Sequence, residues 1–412
     1  MGTVQKIVLF VLLVSFLTFV AFFGRLPVFR NTPIGSLHRF IWVRIPKIIA
    51  GADQLVTGGR LGPWMTRFGN YMLYSKHPVV LIIFLGLLTG SASMFVPVTW
   101  PHLSAFQKSL VVLLLPPPYL FTYLCAKSSP GSPHLISPAN INEQLQQYPY
   151  DRILYHPKMC KTCNLPKPAR SKHCSLCRTC VARCDHHCVW VNNCVGRGNY
   201  KYFLALLMCT TITLMYGTYL AYTTLLPEIY WHFENYPSWY LSKLSGKRDY
   251  VSRMLDGFTY ALDIFQAGLM LGGLRRAGVG LLAALTWPLP LGLLAYHVYL
   301  VWAGTTTNET AKWDDWKEDM ADGYVFMADM KPANEQARGS LHATDSIAGH
   351  RWPHQPKKLV VRTNDGQPPR FVSNAIADLV VEDSWRQIWR LCDVENIYDL
   401  GFWGNLWEVL IN

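Results

Sequence analysis

The sequence predicts an all-α integral membrane protein, a bundle of about five transmembrane helices capped on its cytosolic side by a small zinc-bound cysteine-rich domain. Three observations predict it. Half of the 412 residues are hydrophobic, and they come in blocks. Each block is close to the roughly twenty residues that cross a bilayer. Between Cys160 and Cys194 lie eight of the eleven cysteines, with three histidines among them. The formal charge of +12 is concentrated in segments that flank apolar runs, which is the positive-inside pattern of cytosolic loops; the lipid bilayer is the expected partner, and nucleic acid is not.

The first apolar run, Ile7 to Phe23, lacks a small-x-small cleavage site and is followed by Arg25 and Arg30, so residues 1–24 read as a retained anchor. Residues 25–77 carry eight Lys or Arg against the single acid Asp53, a basic segment placed in the cytosol. Spans at Pro78–Val96 and Leu110–Ala126 form a hairpin over 78–126. The second contains Pro116-Pro117-Pro118, which removes donors, breaks the helix and leaves carbonyls for neighbouring helices to satisfy. Topology then alternates. Residues 127–201 are cytosolic and hold the Cys-His cluster, while 202–303 carry spans at Tyr202–Leu226 and Gly278–Ala303 around a lumenal loop, 227–277.

Within that loop Phe258–Leu274 is apolar, but Asp263 and Gln266 interrupt it and Arg275-Arg276 close it. It reads as a lumenal or interfacial helix leading into the last span. The tail, 304–412, returns to the cytosol. It is expected to be loop through about Phe371, then an amphipathic helix over Ala375–Leu391 with Ile376, Leu379, Val380, Trp385, Ile388 and Leu391 on one side.

The cluster runs Cys160-x2-Cys163, His173-Cys174, Cys177, Cys180, Cys184, the tetrad Asp185-His186-His187-Cys188, and Cys194. CxxC pairs interleaved with His and bordered by Lys and Arg read as thiolate metal ligands in a reducing compartment. With Gly, Pro and basic residues between the ligands there is no core to bury, so metal must fold the segment; structural zinc supplies about 10–16 kcal/mol in small modules. A structural Zn2+ takes four N/S ligands. Two ions use eight of the eleven groups and leave three over.

His173-Cys174, the tetrad, and then Val189-Trp190-Val191-Asn192-Asn193-Cys194 with Gly196 closely resemble the cysteine-rich domain of the DHHC protein S-acyltransferases, or palmitoyltransferases. Thr306-Thr307-Asn308-Glu309 after the last span resembles that family's TTxE motif, and Tyr398-x2-Gly401-x3-Asn405 resembles its C-terminal motif. The amino-terminal span and the tail look most like the fungal spore-wall-formation branch, which resides in the endoplasmic reticulum membrane. The residue after the tetrad is usually Pro in the family. Here it is Val189, which relaxes the backbone at that point.

The resemblance implies two interleaved zinc sites, Cys160, Cys163, His173 and Cys180 on one ion and Cys174, Cys177, His187 and Cys194 on the other. The surplus is then Cys188, His186 and Cys184. Cys188 is implied to be the nucleophile, attacking a long-chain acyl-CoA such as palmitoyl-CoA, with His186 as base and Asp185 orienting it. A free thiol has a pKa near 8.5, and a neighbouring imidazole and a zinc field raise its thiolate fraction. The acyl group would pass to juxtamembrane cysteines of membrane-anchored proteins such as SNAREs. Cys184 has no role beyond a packed thiol or a secondary acyl acceptor.

Other positions carry two readings each. Lys167 and Arg170 either meet CoA phosphates or form a solvated basic loop near anionic lipid. Trp190 either presses on the thioester or acyl chain or anchors in the interface. Thr307 is expected to bond toward Asp185 and Glu309 to brace the last span against the zinc domain, unless both only cap a helix. Asn405 satisfies backbone groups at a broken span, or else sits in a turn. The competing function is a non-catalytic zinc-stabilised membrane adaptor or a ubiquitin-ligase-like module.

Overall fold

A computed structural model describes residues 3–29, 31–127, 132–235, 263–331, 357–369, 380–381 and 384–411. The chain divides into two units, Met1–His77 with Phe233–Met270, and Pro78–His232 with Leu271–Asn412.

The first unit opens with α1, Thr3–Phe23, followed by α2 (Pro33–Arg39), α3 (Ile45–Thr57) and α4 (Leu61–Tyr74). A π-helical turn, Phe40–Arg44, joins α2 to α3 without a break. Gly24 lets α2 approach α1, since a Cβ there would meet the His38 Cβ at 2.7 Å. Asp53 ends one helix and starts the next: its carboxylate accepts from Leu61 N at 3.0 Å and Gly62 N at 2.8 Å, satisfying free donors at the start of α4.

Four described helices are long and apolar enough to cross a membrane: Val79–His102 and Ala105–Ala126, which lie in the second unit, and Tyr200–Asn235 and Asp263–Trp302, most of whose residues do. They make this a multi-pass membrane protein. Within them lie α5 (Val79–Thr99), α6 (Ala105–Leu114) and α7 (Pro117–Ala126). The prolines divide α6 from α7 as expected. The Leu114 carbonyl, whose partner would have been the missing N–H of Pro118, accepts instead from Thr213 Oγ1 of the neighbouring helix at 2.8 Å.

After α8 (Ile141–Gln147) come two short hairpins, β1 (Lys172–Cys174) with β2 (Thr179–Val181) and β3 (His186–Cys188) with β4 (Asn193–Val195). The next helix, α9, runs Tyr200–Asn235, further than the expected end at Leu226. At 1.5 Å per residue it is about 54 Å long and outruns the bilayer core. Most of the expected lumenal loop, 236–262, lies outside the described residues. Helix is present from Asp263, and the backbone breaks at Gly273, whose φ of +57° favours glycine. A π turn, Leu274–Gly278, leads into α10 (Val279–Thr286) and α11 (Pro288–Trp302). Gly280 sits against Ala221 of α9, where a Cβ would come within 2.3 Å, so the two helices cross in close contact.

The tail contains α12 (Thr307–Ala321), then a sheet absent from the sequence reading: β5 (Val325–Asp329) lies between β6 (Lys358–Arg362) and β7 (Arg386–Gln387), all antiparallel. The expected helix over Ala375–Leu391 is corrected here. Its described residues are extended: Val380 bridges Met330, Arg386–Gln387 pair with β5, and Leu391–Asp393 form a 3-10 turn. Of the apolar positions assigned to one helix face, Ile376 and Leu379 lie outside the described residues, Val380 and Trp385 pack with Ala328 and Leu359, and Ile388 packs with Met327, Val360, Trp313 and Tyr398. Residues 371–379 lie outside the described set. A last helix, α13 (Gly401–Ile411), lies along α11.

Candidate active site and zinc-ligand clusters

The two hairpins use the same device. In β1–β2 His173 faces Cys180, and in β3–β4 His187 faces Cys194, so each hairpin sets one His and one Cys side by side across an antiparallel pair. A CxxC turn supplies the other two thiols. The residue after each turn, Asn164 or Arg178, takes positive φ, 52° and 55°, which curls the backbone so that both sulfurs point inward.

The donor atoms of Cys160, Cys163, His173 and Cys180 all lie within 4.8 Å of one another, and so do those of Cys174, Cys177, His187 and Cys194. The sulfur to Nδ1 distances are 3.6, 3.3 and 3.9 Å in the first group and 3.7, 3.4 and 3.6 Å in the second. A tetrahedron with Zn–S of about 2.3 Å and Zn–N of about 2.0–2.1 Å has S···N edges of about 3.6 Å. Three thiolates and one imidazole are also the donor chemistry of structural zinc. Both groups fit Zn2+, and the grouping matches the interleaved assignment.

Strand alternation then sorts the tetrad. Successive side chains of a strand point to opposite faces. In β3, His187 faces the second zinc-ligand group, so His186 and Cys188 share the other face. His186 Nδ1 lies 2.6 Å from Asp185 Oδ2, and its side chain leaves β3 on the same face as the Cys188 thiol. The acid is thus bonded behind the imidazole, and the thiol stands on the imidazole's face of the strand. Burial acts to lower the His186 pKa, but the bonds and charges of Asp185 and Cys188 outweigh it and raise the pKa to about 9. Burial alone would raise the Asp185 carboxyl, and its bond to His186 holds it below the usual carboxylate value.

Asp185 is 2% exposed, and its other oxygen accepts the backbone N–H of Thr307 at 2.9 Å. The expected Thr307 contact is present, but through the main chain at the first residue of α12, where a helix start favours a carboxylate. Thr306 caps that helix, with a capping box to Glu309, and donates to the Cys184 carbonyl at 3.3 Å. Glu309 both caps and braces: it receives Arg170 Nε at 2.8 Å and Nη2 at 2.7 Å, and the Tyr155 hydroxyl at 3.1 Å. Asn405 donates to the Trp302 carbonyl at 3.4 Å, so it satisfies the end of the last span.

Arg170 is a correction. Its side chain is fully buried between Glu309 and the rings of Tyr148 and Tyr398, so it has no surface from which to meet CoA phosphates. Its neighbour Lys167 is half-buried and retains access to solvent. Trp190 is exposed and stands edge-on to Phe84 of α5, at the rim beside Cys188. Cys184 is buried beside Cys194, a packed thiol.

Cys188 is buried among Cys125, Val191, Phe203, Leu207 and Val301, at the junction of the zinc domain with α7, α9 and α11. Asn193 and Asn199 make that junction, reaching the Cys125 carbonyl at the end of α7. One residue escaped the sequence reading. His297 of α11 is 1% exposed, bonds the Tyr200 hydroxyl at 2.9 Å, and has a ring nitrogen within 4.8 Å of both Asp185 and His186. Its signal was a lone imidazole in an apolar span, where polar side chains are rare and mark function.

Comparison with known proteins agrees with this geometry. A family profile described as DHHC palmitoyltransferase matches residues 153–314. Palmitoyltransferase SWF1 of Neurospora crassa is 43% identical over all of this chain and 93% of its own length. Palmitoyltransferase swf1 of Emericella nidulans is 38% identical over all of this chain and 98% of its own. Palmitoyltransferase ZDHHC4 of Mus musculus is 40% identical over 34% of this chain and 42% of its own.

Proposed function

Because the chain belongs to the DHHC palmitoyltransferase family, we propose that it is a protein S-palmitoyltransferase whose nucleophile is Cys188. The observation that carries the assignment is the sorting of β3: His187 is spent on a zinc-ligand group, while His186 and Cys188 lie together on the opposite face with Asp185 bonded behind. A purely binding module has no use for a thiol and imidazole outside the ligand set, so the adaptor reading is not favoured.

The reaction runs in two transfers. The Cys188 sulfur attacks the thioester carbonyl of a long-chain acyl-CoA, a new C–S bond forms, and the bond to CoA sulfur breaks. His186 takes the Cys188 proton and returns it to the departing CoA thiolate. In the second transfer His186 takes the proton of a substrate cysteine, whose sulfur attacks the acyl-enzyme and frees Cys188. Asp185 keeps the imidazole oriented throughout, itself held by the start of α12. The two Zn2+ ions, held by the eight Cys and His ligands, would supply the rigidity of the mount.

Cys188 opens toward apolar side chains of α7, α9 and α11. An acyl chain entering among the helices gains about 0.8 kcal/mol per buried methylene, so burial holds the acyl donor. Lys167 is retained as a contact for CoA phosphates and Trp190 as a cover over the thioester. The eight basic residues of 25–77 support a cytosolic zinc domain, since an even number of spans, Val79–His102 and Ala105–Ala126, separates the two. The substrates are membrane-anchored proteins with juxtamembrane cysteines, SNAREs among them, and the location is the endoplasmic reticulum; both rest on the resemblance to the spore-wall branch.

The test is an acyl-thioester on Cys188. Purified protein given palmitoyl-CoA should gain a hydroxylamine-labile adduct that Cys188→Ser lacks while keeping two zinc ions per chain. His187→Ala should lose one zinc, and His186→Ala none. Zinc loss in Cys188→Ser would overturn the ligand assignment, and an undiminished adduct would overturn the nucleophile.

A further inference from the structure

The basic segment before the second span forms two helices with one shared pattern. In α3 the apolar residues include a run of Ile45, Ile48, Ile49, Ala52, Leu55 and Val56, and in α4 a run of Leu61, Trp64, Met65, Phe68, Tyr71 and Met72, with Ala50, Leu73 and Tyr74 falling outside the two runs. Both runs follow i, i+3, i+4, i+7, i+10, i+11, which sets all six on one arc of a helix. A helix of a water-soluble domain would bury that arc. Here it is open: Ile48 is 62% exposed, Val56 83% and Trp64 58%, and Asp53 is the one buried side chain of the two helices. Trp64 and Phe68 stack on each other at 5.6 Å within the open face.

Charge identifies the occupant. Arg39, Arg44, Lys47, Arg60, Arg67 and Lys76 lie along or beside these helices, and the only acid, Asp53, is consumed as the cap of α4. The surface is therefore cationic around an apolar face with aromatic members. That is the composition of a helix lying in the plane of an anionic lipid interface, with Lys and Arg stems reaching up to headgroups. The chain leaves little reach between the two: only Ser75–Pro78 separate α4 from the span that begins at Val79, which keeps the start of the span close in sequence to the basic segment.

We propose that residues 33–74 form an in-plane helical hairpin seated in the anionic cytosolic leaflet, with the apolar arcs of α3 and α4 in the acyl region and the basic side chains on phosphatidylserine-class headgroups. The inference stands apart from the catalytic reading, since it uses no residue of the zinc domain.

The test uses the whole protein reconstituted in phosphatidylcholine vesicles with and without phosphatidylserine, carrying the photo-crosslinker p-benzoylphenylalanine at Ile48, Phe68, Gln54 or Asn70. With phosphatidylserine present, positions 48 and 68 should give several-fold more lipid adduct than 54 and 70, read by mass spectrometry. The combined variant Arg44→Gln, Lys47→Gln, Arg60→Gln, Arg67→Gln should lose that excess several-fold with zinc content unchanged. Crosslinks from 48 and 68 to protein, within the chain or to a second copy, would overturn the proposal, and so would equal lipid yield at all four positions. An unchanged yield in the Gln variant would overturn its anionic part.

Discussion

At the level of single residues, His297 shows how a functional group can hide in an apolar run. It enters from a membrane helix, is tied by the Tyr200 hydroxyl, and closes the far side of the Asp185 and His186 pair. A positioning role predicts a specific defect. His297→Gln should slow formation of the Cys188 acyl-enzyme about tenfold, as small misplacements of catalytic groups do, while zinc content and acyl-CoA KM stay near wild type. A change in KM alone would instead assign His297 to the substrate cavity. The tetrad itself was legible, because ligand counting and motif spacing need only sequence. Arg170 was not: its burial is decided by Tyr148, by Glu309 and by the still more distant Tyr398, and a basic residue between Lys167 and His173 looks solvated until they are placed.

Elements divide in the same way. Four of the five expected spans match described helices long and apolar enough to cross a membrane, because hydropathy is local and a bilayer imposes one length, and the Pro116 break followed from a missing donor. The β6-β5-β7 sheet was not legible, since Val325–Asp329 chooses partners as far on as Lys358–Arg362 and Arg386–Gln387, and pairing of that kind leaves no local period. For Ile388 and Leu391 a spacing that fits a helix face also fits a strand edge followed by a turn. Among the elements α12 has the largest burden: its first turn holds Asp185 and receives both nitrogens of the Arg170 fork. Glu309→Gln leaves that guanidinium buried with half its compensation, a change that costs about 3–5 kcal/mol in comparable pairs. Thermal melting should fall accordingly, and adding Arg170→Met should recover much of the loss. If the single variant melts like wild type, the ion pair does not brace the zinc domain.

On the scale of the whole molecule, two kinds of force hold different parts. Helices among Val79–Trp302 keep their backbone bonds inside lipid, whereas the hairpins between Cys160 and Val195 rely on ligand groups in place of a core. Treatment with a strong zinc chelator should therefore expose 153–199 to protease while helical circular dichroism stays nearly constant; a parallel loss of helix would show that the two parts melt together. The tail closes the same assembly from the other end. Thr307 caps onto Asp185, Glu408 pairs with Arg183 at 3.0 Å, and Lys201 reaches the Leu410 carbonyl at 3.1 Å. These contacts join residues near the middle of the chain to its last helix. During synthesis the ligands from Cys160 to Cys194 emerge well before Thr307 does, so a growing chain can load metal while Asp185 still lacks the backbone N–H that holds it.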